Sequence, residues 1–187
     1  MTIYHSMDTF PPGGCVAALG TFDGVHLGHA ALIRRAVMEA RALNVPSVAL
    51  PFDRHPLSVI APGRAPRLLT DAAERRRLFA SLGLDAVIEQ PFTPAFAHMT
   101  PEAYLTAMAE AIHPRAIVVG YDHRFGRDGA GTADTLRAMA PALGCEAIVV
   151  PPVMVDGAPV SSSRIRALLG AGDAAEAERL AGHPLRG

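Results

Sequence analysis

Two histidines three residues apart, His26 and His29, follow a short glycine-bearing segment, Gly20-Thr21-Phe22-Asp23-Gly24. On a helix that spacing puts both rings on one face. At a helix start, free amides and the positive end of the dipole favour an anion. Two imidazoles there can donate to a phosphoryl group as its charge redistributes, and Gly28 between them leaves the backbone open to close approach. A bare HxxH more often means a cap and a surface histidine. Here its attachment to a Gly-Thr-Phe-Asp-Gly turn behind an apolar run favours phosphate binding. A second anion candidate is Ser161-Ser162-Ser163-Arg164-Ile165-Arg166, with three hydroxyls at a helix opening and Arg166 to add charge. Serine is also an ordinary N-cap, so this segment says little by itself. A third polar segment, Gly120-Tyr121-Asp122-His123-Arg124-Phe125-Gly126, follows the clearest buried-strand candidate of the chain, 115–120.

The elements that must position these segments alternate in type. Apolar runs at 16–20, 47–52, 85–89, 115–120 and 146–150 read as five short strands. Helical composition fills 27–43, ending before Asn44 and Pro46. A proline-rich loop at 55–69 precedes a helix capped by Thr70 or Asp71, with Glu74 at capping-box spacing, and ended by Gly83. Thr100-Pro101-Glu102 opens a helix to Ile112, and a further helix spans 132–143. Residues 153–160, with Asp156-Gly157 at their centre, read as a hairpin. Ser161 opens a last helical region, broken at Gly170–Gly172 and restarted by Asp173. Alternation of this kind implies an α/β fold with a five-stranded parallel sheet flanked by helices, in a single domain over 1–187. Ligands of open parallel sheets bind beyond the carboxyl ends of the strands, where the order reverses. In the order 3-2-1-4-5, the segments after the first and fourth strands face each other across that crevice.

Composition removes several chemistries. The chain has 17 arginines and no lysine, which excludes a GxxxxGK[ST] phosphate loop, a pyridoxal Schiff base and a lysine-dependent aldolase. A formal net charge of −1 argues against a dedicated nucleic-acid binder. No apolar run is long enough to span a membrane, and the N-terminal segment has no signal-peptide pattern. Cys15 and Cys145 lack any ligand spacing and are expected as buried, reduced thiols of a cytoplasmic protein. His55 is expected at a loop or crevice edge, His5, His98, His113 and His183 in solvent, and Arg75-Arg76-Arg77 on a solvated helix face.

Taken together and in order, GTFDGVHLGH, FDRHP (52–56), VGYDHRFGRDG (119–129) and SSSRIR resemble the FMN adenylyltransferase module of prokaryotic FAD synthetases, from about Val16 to Pro184. The HxGH element is shared across the nucleotidyltransferase superfamily; the longer strings are more specific. The resemblance implies a Rossmann-like nucleotidyltransferase fold that transfers AMP from ATP to FMN, with Mg²⁺ accompanying the ATP and no protein ligand assigned to it. By the same resemblance, Gly20, Thr21, Phe22, Asp23, Gly24, His26, Gly28 and His29 bind ATP, with His26 and His29 stabilising the transition state. Ser161, Ser162, Ser163 and Arg166 match the segment that grips the triphosphate, with Arg166 counted as catalytic beside His26 and His29. Phe52, Arg54, Pro56, Asp122 and Phe125 fall on the flavin side: Phe52 and Phe125 as a flat wall, Asp122 as an acceptor for a ring N–H, and Arg54 at the rim.

Four positions depart from the family strings. Arg54 stands at a usual proline, His123 at a phenylalanine, Pro159 at an often basic position and Ser163 at a threonine. Two alternatives therefore stay open: a related nucleotidyltransferase with another phosphorylated acceptor, such as a pantetheine or polyol phosphate, and a flavin- or nucleotide-binding module without turnover. The resemblance ends near Pro184, where bifunctional members begin a riboflavin kinase domain. The matched module is thus expected to use FMN and leave riboflavin unphosphorylated.

Overall fold

In a computed structural model that describes residues 1–185, the five expected strands form one parallel sheet, and a sixth joins its edge. Arg186 and Gly187, the last two positions of the single domain expected over 1–187, lie outside the described residues. The strands are β1 (Thr2–Tyr4), β2 (Cys15–Leu19), β3 (Ser47–Leu50), β4 (Ala86–Ile88), β5 (Pro114–Gly120) and β6 (Glu146–Val150). Their order is β1-β4-β3-β2-β5-β6. Without β1 this is 3-2-1-4-5, the order under which the segments after the first and fourth expected strands face each other, and β2 and β5 pair directly through Val16–Ala116 and Ala18–Val118. The five-strand count is corrected to six. β1 is only three residues long and pairs only with β4, so it carries too short a pattern to read from sequence.

Residues of β2 and β3 are buried throughout, as a sheet covered on both faces demands. One face packs against α1 (Leu27–Leu43) and a later helix (Ala72–Ser81), through Ile33, Val37 and Phe79. The other packs against Pro101–Ile112 and Ala133–Met139, through Leu105, Met108 and Leu136. Between these lie two one-turn helices, giving α2 (Leu57–Ile60), α3 (Ala72–Ser81), α4 (Pro94–Ala97), α5 (Pro101–Ile112) and α6 (Ala133–Met139) in chain order. After β6 come the hairpin strands β7 (Met154–Val155) and β8 (Ala158–Pro159), then α7 (Ser162–Gly170) and α8 (Ala174–Ala181). The last two helices enclose a separate apolar cluster of Leu69, Val160, Ile165 and Leu180.

The local signals act as expected. Asp71, Thr100 and Asp173 accept from the third backbone N–H of their helices, and Asp156 and Gly157 both take positive φ in the hairpin turn. The helix expected over 132–143 instead ends at Met139 and tightens into a 3₁₀ turn over Ala140–Leu143. Pro141 has no N–H to continue the α ladder.

Candidate active site

The turn between β2 and α1 holds two non-glycine residues in the left-handed region, Phe22 at φ 52° and Val25 at φ 36°. Such strain persists only where surrounding contacts fix it. The Phe22 ring is wholly buried, meets Phe79 edge-on at 5.4 Å, and fills the space beside Gly20, where a Cβ would stand 3.1 Å from it. Asp23 is also buried. Its Oδ1 accepts from Leu69 N at 2.8 Å, and its Oδ2 pairs with the Arg166 guanidinium. Arg166 Nε donates to Arg67 O at 2.9 Å, and Gly24 N donates to Thr70 Oγ1 at 3.1 Å. The turn is thereby clamped to the loop before α3 and to α7.

This clamped turn delivers His26 as the N-cap of α1. His26 Nδ1 accepts from His29 N at 3.3 Å, and the two rings stack at 3.7 Å and 16°. Because Nδ1 accepts, the neutral ring carries its proton on Nε2, the nitrogen left to donate. Gly28 lacks the Cβ that would stand 3.1 Å from His26 Cε1. Its openness, expected to admit a ligand, serves first to let the His26 ring fold back. The His29 ring leans on Phe22 at 5.3 Å, and its Nδ1 is shielded without a partner.

Burial holds both rings uncharged: desolvation lowers His26 to about 4 and His29 well below its ordinary value. In the unfolded chain they titrate near 6.5. Between 6.5 and about 4, the unfolded state binds more protons than the folded one. The His26 contribution to stability is therefore complete above pH 6.5 and is lost as pH falls toward 4. Urea unfolding should show stability falling from pH 7 to pH 5, with a slope of about 1 kcal/mol per pH unit from each such histidine. His26→Gln should flatten that slope; an equal slope in wild type and variant would place the ring in water.

Facing α1, the N-terminus of α7 is capped by Ser161, whose Oγ accepts from Arg164 N at 3.2 Å. Ser162 Oγ donates to Asp23 O at 2.9 Å, joining the two segments. Arg164 turns away and donates to Val155 O and Ala158 O, bracing the hairpin. Ser161, Ser162 and Ser163 line one crevice of about 550 Å³ together with Gly20, Thr21, His26, Gly28 and His29. That volume is typical of a small-molecule site.

The other end of the crevice is aromatic. Phe52 meets Phe92 at 4.7 Å and Phe96 at 5.5 Å; Phe96 meets Tyr104 at 5.5 Å, and Tyr104 meets Phe125 at 5.9 Å. Phe52, Pro56, Asp122 and Phe125 all line it, as expected. The wall is longer than the expected Phe52–Phe125 pair. Phe96 and Tyr104 bridge the two, with Phe92 against Phe52 and Phe96, and Tyr104 enters from α5, whose helix period hid it among core positions. Phe125 is fixed by paired backbone bonds with Gly131, whose missing Cβ would lie 2.6 Å from its ring.

Several expected site residues lie elsewhere. Phe22, Asp23, Gly24 and Arg166 do not line the crevice; they form the clamp beneath it. Arg54 also lies off the lining, its exposed guanidinium held by Asp53 Oδ2 at 3.0 Å. His55 sits half-buried on the loop, accepting from Leu57 N at 3.1 Å. His183, expected in solvent, reaches back to Gly24 O at 2.7 Å. Of the three arginines expected on a solvated face, Arg75 is buried and donates to Phe52 O, Arg76 pairs with Glu89, and Arg77 pairs with Glu74. Burial pushes the Cys15 thiol up to about 12, consistent with an inert reduced thiol, while Cys145 is half-buried rather than buried. Among the described residues no group of three His, Cys, Asp or Glu side chains could hold a metal, and no helix is long and apolar enough to cross a membrane.

Comparison with known proteins finds relatives that match most of the chain. A Geobacillus thermodenitrificans protein that carries a bifunctional riboflavin kinase/FMN adenylyltransferase name is 37% identical over 185 residues, 99% of both chains. The Escherichia coli K12 bifunctional riboflavin kinase/FMN adenylyltransferase is 32% identical over 181 residues, 96% of this chain and 58% of that protein. A Listeria monocytogenes FAD synthetase is 33% identical over 170 residues, covering 90% of this chain and 69% of its own. Among solved structures, a Streptococcus pneumoniae chain described as a macrolide-efflux protein superposes with a TM-score of 0.86 at 30% identity, over 98% of this chain and 62% of that one. Pantothenate synthetase from Thermus thermophilus shares the fold, with a TM-score of 0.55 at 23% identity over 97% of this chain and 81% of its own. Residues 10–164 match FAD synthetase as a family, and the chain belongs to it.

Proposed function

We propose that this chain is an FMN adenylyltransferase, transferring AMP from ATP to FMN to give FAD and pyrophosphate. One observation carries the reading: a single crevice joins two helix N-termini to an aromatic wall. At one end stand the stacked, uncharged His26 and His29 on α1 and the hydroxyls of Ser161–Ser163 on α7; at the other stand Phe52, Phe96, Tyr104 and Phe125. The first end suits a polyphosphate, through free amides, aligned dipoles and neutral donors. The second suits a flat apolar ring with a few placed polar groups.

An FMN phosphate oxygen attacks the α-phosphorus of ATP in line. The new phosphorus–oxygen bond forms as the bond to the β-phosphate oxygen breaks, and pyrophosphate leaves without any covalent intermediate on the protein. The chain's part is position and electrostatics. His26 donates through Nε2, while His29, packed against it, shares the developing charge. Ser161–Ser163 hold the triphosphate from the α7 side. Arg166 acts from behind, by fixing Asp23 and hence the turn. Mg²⁺ bound with the nucleotide would be held mainly by phosphate oxygens and water and would offset phosphate charge. Asp122 and Asp128 are the carboxylates on the crevice lining that would be available to it. ATP and FMN as substrates support a cytoplasmic protein.

The test is to incubate the protein with ATP, Mg²⁺ and a panel of FMN, pantetheine phosphate and polyol phosphates, and to measure pyrophosphate. FMN-dependent release with equimolar FAD is expected. Release that depends on another acceptor, or saturable FMN binding without release, would replace this reading with one of the two alternatives.

A further inference from the structure

Two crevice-lining side chains among the described residues carry a shielded polar atom with no hydrogen-bond partner: His29 at Nδ1 and His123 at Nε2. His29 belongs to the phosphate end. His123 stands at the far end of the aromatic wall, where the family string has a phenylalanine. Its ring lies nearly parallel to that of Phe125, 5.8 Å away and tilted by 22°. A phenylalanine could make the same contact without burying a nitrogen. Shielded by the protein, Nε2 gives up water and receives no bond from another side chain or the backbone in return, which is a net cost.

The backbone that carries the ring is held on several sides. His123 N donates to Gly120 O at 3.1 Å, and Phe125 beside it is bonded on both sides of its backbone to Gly131. Gly126 is pressed against α5, where a Cβ would stand 2.6 Å from Pro101 N, and Arg127 N donates to Met99 O at 2.7 Å. The loop backbone is fixed, so any approach of Nε2 to a ligand comes from rotation of the side chain alone. Burial lowers His123 to about 4, so the ring is neutral and can offer either a donor or an acceptor at Nε2, according to tautomer.

We propose that His123 is a specificity-determining residue for the acceptor: its Nε2 hydrogen-bonds a polar edge atom of the flat heteroaromatic ring that lies against the aromatic wall. This rests on the assignment of FMN as acceptor, whose ring edge offers carbonyl oxygens, ring nitrogens and an N–H, a match for either tautomer. A ring without polar edge atoms would leave the nitrogen unpaired and bind less well.

The experiment compares wild type, His123→Phe and His123→Gln by KM for FMN, KM for ATP, kcat and Tm. Phenylalanine keeps the ring and deletes the nitrogen; glutamine restores an amide near the same place. The expected result is a rise of about tenfold in KM for FMN in His123→Phe, partial recovery in His123→Gln, KM for ATP within about twofold, and Tm unchanged or higher. An unchanged KM for FMN in His123→Phe would overturn the assignment while leaving FMN adenylyl transfer standing. Equal rises in both KM values with a lower Tm would overturn it too, in favour of a structural role. No FMN-dependent pyrophosphate in wild type would instead bring down the FMN reading, and the inference with it.

Discussion

His29→Ala should lower FMN-dependent pyrophosphate release by about 10²–10³ at saturating substrates, the usual cost of losing one preorganised donor. The variant is a clean probe because its structural side effects are small. Alanine is the best helix former, so the first turn of α1 survives. The bond that orients His26 runs from its Nδ1 to the backbone N–H of residue 29, which the substitution keeps. The deleted ring also takes with it a shielded Nδ1 that had no partner, so part of the lost packing against Phe22 is offset. Far-ultraviolet dichroism and Tm should therefore stay close to wild type while kcat collapses. A rate within about threefold of wild type would remove His29 from the mechanism and leave His26 and the α7 hydroxyls to carry it.

The parts legible in the sequence share a property: their signal lies within a few residues. Strand positions followed from five apolar runs, while their order entered only as the condition under which two ligand loops face each other. Helix starts followed from Asp71, Thr100 and Asp173, each with its own side chain as the marker. The histidine pair and the serines were likewise local strings, and both line the crevice. What stayed hidden depends on contacts distant in sequence. Asp23 and Arg166 are separated by 143 positions, so nothing in either string showed that they bond to each other instead of to a ligand. Arg75 lies in a run of three arginines that looks solvated until α3 turns it toward Phe52 O. Tyr104 and Phe96 reach the wall from α5 and α4, elements whose periodicity reports only burial. Gly28 shows the same limit in reverse: its local meaning was open backbone, yet the space is used by a ring two residues away.

Asp23→Ala should unfold the clamp and cost about 3–5 kcal/mol, the range for breaking a buried ion pair by removing one partner. For a chain of this size that is a fall in Tm of about 6–20 °C. The carboxylate is 4% exposed and accepts from Leu69 N and Thr70 N as well as from Arg166, so its removal strands three donors at once. Arg166, 23% exposed, keeps only the Arg67 carbonyl. Most of the loss is the uncompensated charge, so Asp23→Ala/Arg166→Leu should regain part of the Tm that Asp23→Ala loses. That recovery separates a structural clamp from a ligand-binding pair. If Asp23 instead met ATP directly, Asp23→Ala would leave Tm within about 2 °C and raise KM for ATP, and the double variant would be worse than either single one. The clamp also predicts a graded functional effect. At temperatures well below its Tm, Asp23→Ala should lose activity through a misplaced α1 N-terminus, with kcat falling more than either KM changes, because the histidines must be held to within a fraction of an ångström of the reacting phosphate.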